Sequence, residues 1–329
     1  AGVALVNVFV DGNYHRTGFT LAACEPSLLS HAILQLSGSA LEHLDLATHS
    51  ASHPRLGVVD HISVSCLGYR ALRPTSTSRP DLTARTTCRA CSGPGRPSFS
   101  PDPTLQGLQM AADCATAVAQ QLGASPRLLP CYLYGAAHPQ QRRLADVRRA
   151  LGYFVPDRPN VSSDGLQALS SQDAGGTWEG TPPMCHTGLA LYPPDTGQSM
   201  PSKHWGVAML GAVPWSLNYN VPVHFPVDAD SQRVGVDHLL MLGKVIAKRV
   251  SERGGGLAGV EAMALLHEGG GCEIACNLLD PSQNGPGEVQ ERVEQLAAEA
   301  GTTAGLGYLT NKTAEQLMEL TLKQLGVSE

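Results

Sequence analysis

Gly259-Val-Glu-Ala-Met-Ala-Leu-Leu-His-Glu-Gly-Gly-Gly-Cys-Glu-Ile-Ala-Cys-Asn-Leu-Leu279 decides the fold. Two strand-like runs, Gly259 to His267 and Cys272 to Leu279, meet at Gly269-Gly270-Gly271, a triplet suited to a hairpin. Cys272, Ile274 and Cys276 alternate along one face of the second run, which marks that face as core and the cysteines as core thiols. Upstream lie a strand, Leu217 to Val223, and a helix, Gly235 to Glu252; downstream come a helix, Gly287 to Glu299, and a strand, Gly305 to Leu309. The order β-α-β-β-α-β is the split βαβ of a ferredoxin-like sheet, antiparallel with both helices on one face. Thr313 to Leu325 adds a last helix. Gly254-Gly255-Gly256-Leu257-Ala258-Gly259 spells a dinucleotide loop by letters. It closes a helix and precedes a strand, so it reads as a C-cap and turn.

The N-terminal half follows the same template. Val3 to Val10, a turn at Asp11-Gly12-Asn13, Thr17 to Ala23, a helix over Pro26 to Leu46 and a strand over Val58 to Cys66 give β-β-α-β. If the chain is a duplication, the missing opening β-α lies before Ala1, an expectation that suits a sequence starting without Met. Residues 70–103, dense in Pro, Ser, Thr and Arg, read as an exposed insertion. After them come a helix over Leu105 to Leu122, a strand over Cys131 to Tyr134, a helix over Gln140 to Leu151, and an irregular stretch over 155–200. The fold class is therefore α+β, with two ferredoxin-like units dividing the chain at 1–200 and 201–329.

The 329 residues are 42% hydrophobic, enough for two cores, and 35 Gly with 23 Pro match the long irregular stretches. A net charge of −6 without long Lys/Arg blocks excludes nucleic acid and anionic lipid as partners. No apolar stretch approaches the roughly 18 residues of a spanning helix. Nine scattered cysteines read as free thiols of a reducing, intracellular compartment: the cytoplasm, or a mitochondrion or plastid if a leader precedes Ala1. The same compartment argues against glycosylation at Asn160-Val161-Ser162 and Asn311-Lys312-Thr313. Cys88-Arg-Ala-Cys91 has metal-like spacing, and Cys185-His186 could complete a zinc set, but a chance pair in a loop accounts for it and no metal is expected. The chain has no G-x-S-x-G, H-E-x-x-H or Walker A motif, which removes the common hydrolase, zincin and nucleotide-binding readings.

Polar chemistry concentrates at strand ends. Pro54 biases His53 toward an extended backbone just before a buried strand, with Arg55 beside it and Asp60-His61 following. An imidazole there suits proton transfer and a guanidinium suits a carboxylate, although from spacing alone a loop histidine satisfied by backbone is the better reading. Asn218-Tyr219-Asn220 could supply pocket amides or simply form an edge strand. Gly197-Gln198-Ser199-Met200-Pro201-Ser202-Lys203-His204-Trp205-Gly206 is a glycine-bounded polar loop that could clamp a flat ring or serve as a linker.

With Arg16-Thr17, Ser52-His53-Pro54-Arg55-Leu56-Gly57-Val58-Val59-Asp60, Tyr132-Leu133-Tyr134-Gly135-Ala136-Ala137, Gly211-Ala212, Asn218-Tyr219-Asn220 and Cys276-Asn277-Leu278-Leu279, the sequence resembles the formiminotransferase domain family, in particular its single-domain plant members. The resemblance implies two ferredoxin-like subdomains with a ligand groove between them. It implies transfer of a formimino group from N-formimidoyl-L-glutamate to tetrahydrofolate, within one-carbon metabolism and histidine catabolism. The family's catalytic histidine falls on His53 and its folate-binding segment on Gly197 to Gly206. Because both substrates carry carboxylates, Arg16, Arg55, Arg148 and Lys203 are candidate anion contacts, with Asn218 and Asn220 as further substrate candidates. Phe9 stands where the family usually carries an acid, and Lys203 and His204 replace smaller residues.

Three readings follow: a folate-dependent formimidoyltransferase, a folate-binding homologue without the chemistry, and an interaction subunit whose 70–103 insertion contacts a larger assembly. A homodimer is a further possible arrangement.

Overall fold

The computed structural model describes residues 2–12, 14–49, 51, 53–67, 70–71, 97–98, 105–151, 153, 193–224, 236–267 and 271–326. In chain order the elements are β1 (Val3–Asp11), β2 (Arg16–Ala23), α1 (Pro26–His43), β3 (His61–Val64), β4 (Arg70–Ala71), β5 (Pro97–Ser98), α2 (Leu105–Ala124), β6 (Cys131–Gly135), α3 (Leu144–Ala150) and β7 (Ala208–Ala212). They continue as β8 (Leu217–His224), α4 (Val236–Val250), β9 (Val260–His267), β10 (Gly271–Leu278), α5 (Pro286–Glu299), β11 (Thr303–Ala304), β12 (Tyr308–Leu309) and α6 (Ala314–Leu325). The class is mixed α and β with several sheets.

The quoted stretch forms the hairpin it spells: Gly271 pairs with His267 and Leu278 with Val260. Its sheet has the order β11-β8-β10-β9, with β12 also on β8, and every pairing is antiparallel. Cys272, Ile274, Cys276 and Leu278 are all at most 1% exposed, as the alternation predicts. Ile274, Cys276 and Leu278 join Val250 of α4 and Val289 and Val293 of α5 in one core. Each large aliphatic side chain sealed in this way contributes about 1.5–3 kcal/mol. Where one strand is expected over Gly305 to Leu309, the chain forms two short pieces, β11 and β12, and between them Gly307 passes so close to the Tyr219 ring that a Cβ would lie 2.4 Å from it. The turn after α4 is the expected C-cap, with Gly255 left-handed at φ 81°.

The N-terminal half departs from the expected β-β-α-β sheet. β1 and β2 form a separate antiparallel hairpin with a bulge between Leu5 and Asn7. β3 does not join them; it pairs in parallel with β7, which pairs in parallel with β6. Among the described residues, the outer edges of β2 and β3 have no strand partner, and a cavity runs between them. α1 and α2 cover the parallel sheet from one side, where Leu41, Ala115, Val118 and Leu122 meet Leu133 and Leu210. β7 (Ala208–Ala212) belongs to this parallel sheet, and the C-terminal sheet begins with β8 at Leu217. α3 begins at Leu144, not Gln140, because residues 135–141 close successive turns and Gln141 sits at φ 49°.

α6 links the halves. Its Leu317 is buried with Ala4 and Val6 of β1, and Gln324 donates to the Leu5 carbonyl at 2.8 Å. Apart from β4 pairing with β5, the 70–103 insertion lies outside the described residues, as do Cys88, Cys91, Cys185, His186 and nearly all of the 155–200 stretch. Among the described residues no helix is long and apolar enough to cross a membrane.

Candidate active site

A cavity of about 3550 Å³ opens between the hairpin, the parallel sheet and the uncovered face of the C-terminal sheet. Ordinary small-ligand sites occupy about 300–1,000 Å³, so this open space is larger than one small ligand needs. Arg16, His53, Arg55, Arg148, Asn218 and Asn220 all line it.

His53 lies in the extended segment that Pro54 imposes before β3. Its Nδ1 is 2.8 Å from the Pro54 carbonyl oxygen, which can only accept, so the ring proton resides on Nδ1. Nε2 is then a bare lone pair, and it accepts from Arg16 Nη1 at 2.9 Å. Burial and the Arg16 charge push the His53 pKa down to about 3, so the resting imidazole is neutral near pH 7.

Arg16 follows the turn of the β1–β2 hairpin. Its guanidinium lies 5.8 Å from the centre of the Phe9 ring and 5.3 Å from that of Tyr14. Thus Phe9 contacts Arg16 through its ring. Arg148, on α3, reaches Asp60 Oδ2 at 3.0 Å and His61 Nδ1 at 3.1 Å and stands 4.4 Å above the Tyr153 ring. Tyr153 in turn meets His53 edge-on at 6.3 Å. Burial alone would raise the Asp60 carboxyl, but His61, Arg148 and the Leu56 N–H outweigh it and hold Asp60 well below the carboxylate range. Arg55 bonds the His49 carbonyl and sits within the field of Asp60.

The C-terminal sheet contributes amides. Asn218 donates to Asn277 Oδ1 at 2.8 Å and accepts from Asn311 Nδ2 at 2.7 Å; Asn220 donates to Glu273 Oε2 at 3.0 Å. Asn277 and Asn311 were not anticipated. Nor were Tyr14, Tyr153 and Glu273, although a Glu inside the apolar run Cys272-Glu273-Ile274-Ala275-Cys276 is a readable sign of a buried polar contact.

Gly197 to Gly206 is placed differently. None of its ten residues lines the cavity; Gln198 N–H bonds the Leu128 carbonyl, Gly206 bridges to Gly57, and Trp205 packs on the N-terminal core under the Arg127 guanidinium, 5.4 Å from its ring centre. The segment meets the rim through His204, whose Nδ1 is 2.9 Å from Asp45 Oδ1, and through the backbone of Trp205 and Gly206 against Val58 and Gly57. Lys203 is exposed on the same loop. Among the described residues no group of three or more His, Cys, Asp or Glu is placed to hold a metal ion.

Fold and site thus define an α+β protein that sets a neutral imidazole among guanidinium groups on the wall of a large cavity. The comparisons make this specific. The family "Formiminotransferase domain, N-terminal subdomain" matches residues 1–78 and 103–213, and a "Formiminotransferase cyclodeaminase-like protein" of Arabidopsis thaliana is 35% identical over 331 residues, 99% of this chain and 88% of that protein. The chain belongs to the formiminotransferase domain family. The match omits 79–102, within the stretch that composition marked as an insertion, and it ends at 213, directly after β7.

Proposed function

We propose that the protein is a folate-dependent formimidoyltransferase built on two ferredoxin-like subdomains, with the cavity as the groove between them. The donor is N-formimidoyl-L-glutamate and the acceptor tetrahydrofolate. The observation that carries this reading is the bare Nε2 of His53 on the cavity wall, fixed in its tautomer by Pro54. The folate ring nitrogen attacks the amidine carbon, a C–N bond forms, and His53 Nε2 takes the proton from that nitrogen. The C–N bond to glutamate then breaks as His53 returns the proton to the leaving amine. Arg16 swings from Nε2 to a substrate carboxylate, which frees the lone pair only when substrate is present. Arg148 and Arg55 supply further positive charge, and the Asn218 and Asn220 amides face the ligand from the opposite wall. The placement of Gly197 to Gly206 makes that segment a support for the Asp45 rim in this reading.

His53→Ala abolishes transfer and leaves folate binding by calorimetry intact; unchanged turnover would overturn the proposal. A second reading, a folate-binding homologue without this chemistry that acts as an interaction subunit of a larger assembly, is favoured by Phe9, which gives the cavity a ring where the family usually places an acid. Folate binding without turnover in the wild-type protein decides for it.

A further inference from the structure

We propose that Tyr14 and Glu273 are positioning residues that hold the tip of the β1–β2 hairpin so that Arg16 caps His53. The inference rests on the reading of His53 as the site's proton carrier.

Glu273 projects from β10 on the face opposite the C-terminal core and is 2% exposed. Its carboxyl group accepts from three donors: Tyr14 Oη at 3.0 Å, Asn220 Nδ2 at 3.0 Å and Tyr308 Oη at 2.5 Å. Only Tyr14 comes from the N-terminal half. Tyr14 is 1% exposed and its N–H is anchored to Asp11 Oδ1 at 3.0 Å, so the turn is pinned both to itself and to the opposite sheet. From that fixed ring, Arg16 is 5.3 Å away and His53 5.4 Å away. A two-stranded hairpin is marginal alone, so its tip needs an external anchor to keep one geometry. Glu273 supplies that anchor from outside the cavity lining, while the Tyr14 ring that it holds lines the cavity. The groups facing His53 are Arg16, Asp60, Arg148, Tyr14 and Tyr153, and of the charged ones Arg16 is carried by the hairpin tip.

The test compares Tyr14→Phe, Glu273→Gln and the double variant in the full chain. Tyr14→Phe keeps the ring and removes only the hydroxyl, so it folds even if Glu273→Gln does not. The first readout is the His53 imidazole titration by NMR, which needs no substrate. With Arg16 released, the midpoint rises by about one unit in each single variant, and the double variant shows no further rise because both act through one contact. The second readout is steady-state transfer: kcat falls about tenfold to a hundredfold with KM changed far less. An unchanged His53 midpoint in Tyr14→Phe overturns the proposal, as do additive shifts in the double variant. A shifted midpoint in a protein that catalyses no transfer leaves the positioning role standing and refutes the transferase reading instead.

Discussion

The neutral state of His53 can be measured as stability. Its pKa falls from 6.5 to about 3 on folding, so between those values the unfolded chain binds a proton that the folded chain refuses. For a depressed histidine, stability is complete above pH 6.5 and declines as pH falls toward 3. At pH 5 the unfolded group sits 1.5 units below its midpoint, which at about 1.4 kcal/mol per unit costs about 2 kcal/mol. Urea unfolding of wild type and His53→Gln at pH 7.5 and pH 5 isolates this contribution, because every other titrating group is common to both chains. The wild-type midpoint falls by about 0.7–1 M more than that of the variant, for an m-value of about 2–3 kcal/mol/M. If the two pH profiles run parallel, burial and the Arg16 charge do not hold His53 neutral.

Other outcomes follow from the same geometry. Arg148→Met leaves the Asp60 carboxylate without its guanidinium and lowers stability by about 3–5 kcal/mol, read from the urea midpoint at pH 7.5. Gly206→Ala cannot keep φ 66° with its Cβ 2.1 Å from the Leu56 carbonyl oxygen, so Gly57 and Gly206 part and the protein loses thermal stability in calorimetry. Cys131 and Cys276, whose thiols burial pushes up to about 12, stay unmodified by an aromatic disulfide reagent in native protein and react once urea unfolds it.

The C-terminal sheet was legible because every signal in 217–309 is local. The alternation Cys272, Ile274, Cys276, the glycine turn and the helical periods each fix an element, and their order leaves one economical sheet. The N-terminal half was less so. Nothing in Val58 to Cys66 says that its partner is Ala208–Ala212, almost 150 residues on, and parallel pairing carries no turn to announce it. At the site, His53 and Arg55 were visible through Pro54, and Arg16 and Arg148 as cations in an acidic chain that meet at the cavity. Tyr14 and Glu273 were invisible as a pair, since 259 residues separate them and each looks ordinary alone. In the glycine-bounded loop, Gly197 and Gly206 allow close backbone approaches to Leu129 and Leu56, a packing role that their spacing alone does not announce.

The seat of β1 against α6 also bears on how the chain is made. Leu5 leaves the ribosome 319 residues ahead of the Gln324 side chain that caps its carbonyl. At about 5–20 residues per second, that is about 15–60 s during which Ala4 and Val6 have no helix to cover them. The nascent hairpin, with an exposed apolar face that includes Val8, Val10 and Phe19, must wait through that interval in a form prone to wrong strand pairing. Yield in a cell-free system therefore depends on chaperone supply in the interval between the emergence of β1 and that of α6.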